Sequence, residues 1–252
     1  MSDNKVFFAS GEDEKMIAAF EKAQQTFKYY WREISWEYRR IIPALDVCCV
    51  KVAFSQTFEG EDEPTVEHMW INDVDFNGEI ISGTLVNEPN ELTNVENGDE
   101  VKIPLSQISD WLFAIAGKTF GGFTIQAMRS SMSSKELKEH DKAWGLNFGD
   151  FNDILIVNKQ KENPENLIEH PMSKNMGESL REYLTQNPKE VNEADEDGIT
   201  PLHEEAVKGN LTSIEILLSF GANKNAKTNN GFTALDLAKK LNWEHIITSL
   251  EN

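Results

Sequence analysis

Between Val52 and Val101 the chain has no lysine or arginine, yet the same stretch holds thirteen carboxylates. Over the whole molecule 24 Lys and Arg face 43 Asp and Glu, a formal net charge of −19. Such a surface repels nucleic-acid phosphate and anionic lipid, so neither is expected as a partner. Cysteine is nearly absent as well. Cys48 and Cys49 are adjacent, which in a strand sends them to opposite faces, and they supply no disulfide framework. No run approaches the roughly 20 apolar residues of a membrane-spanning helix, and the opening MSDNKVFFASGEDEK lacks an apolar leader core. A cytoplasmic location is the expectation. The five histidines fall at no metal-ligand spacing, and Gly117, Gly121 and Gly122 are not spaced to cradle phosphate. Neither a metal nor a cofactor is expected.

What is present is enough apolar material for packed cores, 39% of 252 residues, a length that suits two units. Ser10 with Asp13 reads as a helix start, after which Met16, Phe20, Ala23, Phe27, Tyr30 and Ile34 recur at steps of three and four. That amphipathic helix is expected to extend or re-form through Tyr38 and Ile41 and to stop by Pro43. Strand patterns follow in VCCVKVAF, VEHMWINDVDF, GEIISGTLV and GDEVKIPL. The dipeptide Asn77-Gly78 predicts a type I′ hairpin turn. Pro104 to Ile115, carrying Asp110 and Trp111, reads as a turn or short helix, and Phe123 to Met132 fits either helix or strand. Ser133 with Glu136 forms a capping-box pattern for a helix ending at Gly145.

Beyond KQKENPEN a repeat begins. Gly198 and Gly231, Thr200 and Thr233, and Leu202 and Leu235 are each 33 residues apart, and TPLH stands at Thr200 to His203. This pattern resembles ankyrin repeats. Gly221, Ala222, Asn223 and Asn225 match the ankyrin turn, and VNEADEDG from Val191 resembles the same turn one period earlier. The resemblance implies about two and a half repeats including caps, a degenerate first helix containing Leu180 and Leu184, and a turn-and-stacking role for His203. Glu205 departs from it, because the family usually has alanine there.

The series WREISWEYRR, EHMWINDVDFNGEIISGTLVNEP, GDEVKIPLSQISDW, GGFTIQAMRS and HDKAWGLNFGD resembles the bacterial YegJ-like family, domain-of-unknown-function family 2314. That resemblance supplies no chemistry. The fold class expected is therefore an α+β N-terminal domain over 1–157, with a long helix, a twisted antiparallel sheet and a C-terminal helix. A linker at 158–165 leads to an all-α ankyrin domain over 166–252.

Function has to be weighed from single residues. In the hairpin, Val66, His68 and Trp70 alternate to one face and Glu67, Met69 and Ile71 to the other, unless a bulge intervenes. The acidic stretch reads either as a solvated face or as a surface for a basic partner. The binding reading takes Glu61, Asp62, Glu63, His68, Trp70, Asp73, Asp75, Glu88, Asp110 and Trp111 as candidates, with a basic protein as partner. It extends by analogy to an immunity protein that neutralises a basic toxin. The alternative is an enzyme of unassigned type using His68, His140 and Asp141 for acid and base chemistry. A His beside Trp is more ordinarily a packing residue, and Arg129 followed by Ser130 and Ser131 makes no nucleophile elbow. A small ligand beneath the tryptophans is a third reading left open.

Overall fold

A computed structural model describes residues 14–252. The helix start expected at Ser10 and Asp13 lies outside the described residues. Helix α1 runs Glu14–Glu37 and ends there, with Tyr38 and Arg39 in a turn. Six strands follow: β1 Leu45–Gln56, β2 Thr65–Phe76, β3 Ile80–Leu85, β4 Glu100–Pro104, β5 Ile108–Ile115 and β6 Lys118–Gly121. They form one antiparallel sheet in the order β4-β3-β2-β1-β5-β6. Helices α2 (Phe123–Arg129) and α3 (Ser134–Trp144) complete this half. The Ser133–Glu136 capping box forms on α3, which Gly145 ends in a left-handed conformation.

Pro104 to Ile115 differs from its expectation. Only Leu105–Gln107 makes a 3-10 turn, and Ile108–Ile115 is a strand next to the middle of the sheet. All its residues from Ile108 to Ala114 are buried, so an interior strand covered on both faces shows no alternation to recognise it by.

Val50, Ile71 and Trp111 face α1, while Leu112, Ile125 and Phe148 make a smaller core on the opposite face. The Trp111 indole N–H donates to the Ala23 carbonyl and the Thr26 hydroxyl, fixing the helix to the sheet. Cys48 packs at the edge of the larger core and Cys49 at the edge of the smaller, both as free thiols.

In β2 the inward residues are Met69 and Ile71, then Val74 and Phe76. A register shift between Asn72 and Asp75 moves the pattern by one residue, and Asp73 takes φ 49° within it. The turn that follows is not type I′. Asn77 keeps negative φ, its side-chain oxygen accepts from the Glu79 and Ile80 amides, and only Gly78 (φ 97°) is left-handed.

The C-terminal half stacks three helix pairs: α4 Pro171–Asn175 with α5 Gly177–Gln186, α6 Pro201–Lys208 with α7 Leu211–Ser219, and α8 Ala234–Lys240 with α9 Glu244–Glu251. Leu184 is buried within α5. Capping boxes start α6 at Thr200 and α8 at Thr233. His203 bonds Thr200 through Nδ1 and the carbonyls of Ala226 and Phe232 through Nε2, tying one repeat's turn to the next. One continuous apolar core runs from α1 and the sheet into these helices.

Candidate functional site

The junction between the two halves is built on the second half of α1. Every residue from Tyr30 to Trp36 is buried, including Arg32, Glu33 and Ser35. One apolar stripe cannot explain this, because a helix buried all round must be covered on both sides. The sheet covers one side and the repeats cover the other. Arg32, 1% exposed, donates to the carbonyls of Asn166 and Ile168. Burial lowers its guanidinium to about 10, so it stays charged at neutral pH. Glu33 meets His170 Nε2 at 3.2 Å, and Trp36 stacks on the same imidazole. Lys28 donates to the Asn242 carbonyl and lies 4.5 Å from the centre of the Trp243 ring, which also packs edge-on against Tyr29.

Glu205, the departure from the ankyrin pattern, is part of this junction. It pairs with Arg39 at 2.9 Å and Lys208 at 3.6 Å, and it accepts from the Asn210 amide at 2.7 Å. Burial pushes its carboxyl up, but Lys208, then Arg39 and the Asn210 hydrogen bond, outweigh that and hold it below the usual carboxylate range.

The β2–β3 turn is the second contact. A Cβ on Gly78 would stand 2.9 Å from Val207 Cγ2 and 3.0 Å from Leu237 Cδ2, so the turn lies directly against α6 and α8. Glu79 beside it accepts from the Asn230 side chain at 2.8 Å and pairs with Lys240 at 3.6 Å. The inner helices of the repeats are thus already packed against this chain's own hairpin tip and helix.

Several residues singled out in the sequence are placed elsewhere. Asp110 and Trp111 are both 0% exposed and can meet no partner. Asp110 is instead a helix cap supplied from a strand: α2 begins at Gly122, which has no side chain, and Asp110 accepts from the Phe123 and Thr124 amides and the Thr124 hydroxyl. Burial raises its pKa, against the opposing pull of Thr124 and Lys51. His68 keeps an exposed edge, stacks on Phe20 and shares a hydrogen bond with Ser109, while desolvation lowers its pKa. Trp70 is half-buried with the Lys51 ammonium 5.2 Å from its ring. His140 and Asp141 sit together at 3.1 Å, and Asp141 pairs with the buried Arg129. Among the described residues no hydrogen bond, ion pair or ring contact joins His68 to His140 or Asp141. The structure therefore does not assemble these three into one acid–base site.

The acidic stretch divides as well. Glu61, Asp62 and Glu63 are exposed in the β1–β2 turn, whereas Asp73 and Asp75 are exposed at the other end of β2, about 33 Å along the strand. Glu88 is exposed after β3 and lies 3.2 Å from the Asn97 amide. Glu67 turns inward to accept the amides of Asn90, Glu91 and Leu92, which holds that loop and keeps its carboxyl below the usual range although burial acts the other way.

Two clefts flank the Arg39–Glu205 pair. One, of about 620 Å³, lies between Tyr38, Asp75 and Lys102 on one side and Asp195, Asp197 and Glu204 of the repeats on the other. The other, of about 530 Å³, is apolar and lined by Trp36, Met172, Met176, Leu180 and Tyr183 among others. Apart from Asp75, a candidate from the acidic stretch, sequence reasoning did not single these out as site residues, because α1 and the repeats that meet here lie more than a hundred positions apart. The usable signals were the all-round aromatic density of YYWREISW and the glutamate in an alanine position. Among the described residues no group of three or more His, Cys, Asp or Glu could hold a metal, and no helix is long and apolar enough to cross a membrane.

Comparison with known proteins gives two family matches. A family described as an uncharacterized protein conserved in bacteria (DUF2314) matches residues 13–148, and ankyrin repeats (three copies) match residues 170–250. A putative ankyrin repeat protein of Neisseria meningitidis serogroup B is 50% identical over 251 residues, covering 100% of this chain and 98% of that protein. The uncharacterized protein YegJ of Escherichia coli K12 is 36% identical over 78 residues, or 31% of this chain and 51% of that protein. Among solved structures, a predatory endopeptidase from Bdellovibrio bacteriovorus in complex with an immunity protein aligns at 25% identity. It covers 51% of this chain and 60% of that chain with a TM-score of 0.28, a likeness that carries no argument.

Proposed function

This chain belongs to the bacterial family DUF2314 and carries ankyrin repeats, and from that premise we propose that it is a non-catalytic binding protein for a basic protein partner. Ankyrin repeats suggest protein–protein interaction, and such arrays bind through their turns and inner helices. The observation that carries the reading is the junction. Much of the array's inner face is taken by α1 and the Gly78 turn, so the two units, 1–157 and 166–252 joined by 158–165, present a composite surface to an outside partner. Glu61, Asp62 and Glu63 steer such a partner from one end of β2, and Asp73 and Asp75 from the other. The finer role is that of an immunity protein that blocks a basic toxin in the bacterial cytoplasm. A net charge of −19 and two free thiols are in keeping with it.

The test is affinity capture by the intact chain from a bacterial lysate, followed by association kinetics with the captured protein. A basic protein should be retained and released by rising salt. The triple variant Glu61→Lys, Asp62→Lys, Glu63→Lys should associate on the order of tenfold more slowly at low salt, with an unchanged melting temperature. Retention of neutral or acidic proteins alone, or an association rate indifferent to salt and to the reversals, would remove the basis of the reading.

A further inference from the structure

We infer that the 620 Å³ cleft between α1, the sheet and the first ankyrin turn is a docking groove for an extended, arginine- or lysine-bearing peptide segment of the partner. The inference rests on the binding reading above and places its contact.

Two independent observations meet here. The first is an unsatisfied donor. Trp31 is 5% exposed and lines the cleft, and its buried indole N–H has no acceptor among the described residues. A buried N–H without a partner is destabilising, and a carbonyl oxygen that reaches it through a small shift of the walls shielding it would relieve that cost. A peptide backbone supplies such an oxygen at every residue.

The second is the charge that remains after internal pairing. Of the lining cations, Arg39 is held by Glu205, and Lys208 by Glu204 at 2.6 Å and Glu205 at 3.6 Å. Asp75, Asp195 and Asp197 have no cation within ion-pair distance among the described residues, and Lys102 is the lining cation without an ion pair. Three unpaired carboxylates thus face one unpaired amine. They stand on both walls, Asp75 on β2 and Asp195 and Asp197 on the ankyrin turn, so a cationic side chain entering between them meets negative charge on either side. Tyr38, 57% exposed and anchored by its hydroxyl to the Val74 carbonyl, offers an aromatic face for the same cation. A second copy of this chain is a poor occupant, since both copies would carry −19.

The experiment uses the intact chain labelled with 15N at its tryptophan indoles, the Trp31 signal being identified by its loss in Trp31→Phe. The probes are a capped seven-residue peptide with two central arginines among alanines and threonines, and the same peptide with glutamates in their place. The Trp31 indole signal should move saturably with the arginine peptide and stay still with the glutamate peptide. Asp75→Lys with Asp197→Lys should weaken the arginine peptide on the order of tenfold or more. Neither carboxylate accepts a hydrogen bond from the described residues, so the fold should survive, and Asp75→Asn with Asp197→Asn should give a smaller loss in the same direction. The proposal is overturned by no saturable shift at millimolar peptide, by equal shifts from both peptides, or by full affinity in the double Lys variant. It is also overturned if the signal moves with protein concentration alone, which would make a second copy the occupant. Capture of a basic partner with a silent Trp31 would refute the groove and leave the binding reading standing, whereas failure of both would refute both.

Discussion

Glu205 shows how one residue can mark a contact that sequence alone does not reveal. Its carboxylate is 6% exposed and is shared among Arg39, Lys208 and Asn210. Glu205→Ala, which restores the usual ankyrin residue, should destabilise the protein at neutral pH by about 2 kcal/mol, because it leaves buried donors short of a partner. The pH dependence has a definite sign. Its folded pKa is depressed below the ordinary 4.5, so its contribution is present above that value and is lost as pH falls through the lower folded one. The stability gap between wild type and Glu205→Ala should therefore be full at pH 7 and shrink below about pH 4.5, measured by denaturant unfolding across that range. A constant gap down to pH 3 would mean that the carboxylate charge is not what matters. The anomaly at position 205 was visible in the sequence, but its partner was not, since Arg39 is 166 positions away. Asp110 failed in the opposite way. It looked available for recognition, and burial against an uncapped helix start made it a piece of scaffold.

At the scale of elements, the sequence was clearest where one periodicity and one boundary signal coincided. The capping box at Ser133 and the inward Met69 and Ile71 follow their patterns. It was least clear where burial erased the period, as in β5, or where a side chain replaced backbone conformation, as at Asn77. The revised hairpin makes Gly78 more constrained than a type I′ turn alone would, for a Cβ there would press on Val207 and Leu237 of the repeats. Gly78→Ala adds a left-handed strain of about 1–2 kcal/mol to overpacking of about 1–3 kcal/mol. Gly60, also left-handed at φ 89° but with nothing near its Cβ, is the internal control. By thermal denaturation, Gly78→Ala should lose about 3 kcal/mol and Gly60→Ala no more than about 1–2. Equal losses would show that the turn does not bear on α6 and α8.

At the scale of the molecule, the two halves differ in kind yet close a single core around α1. Three stacked helix pairs depend on their neighbours for burial, and here one neighbour is a helix from the other half. The segment 166–252 on its own should melt well below the intact chain, which should unfold in one transition in which near-ultraviolet and far-ultraviolet circular dichroism coincide. Equal melting temperatures would mean that the junction adds nothing. The same arrangement sets an order in time. Lys28 grips the carbonyl of Asn242, 214 positions later, so at about 5–20 residues per second the first helix leaves the ribosome roughly 10 to 40 seconds before its last partner is made. Through that interval Arg32 and the aromatic face meant for the repeats stand in water, and the nascent chain must keep them from other chains until the final helix arrives.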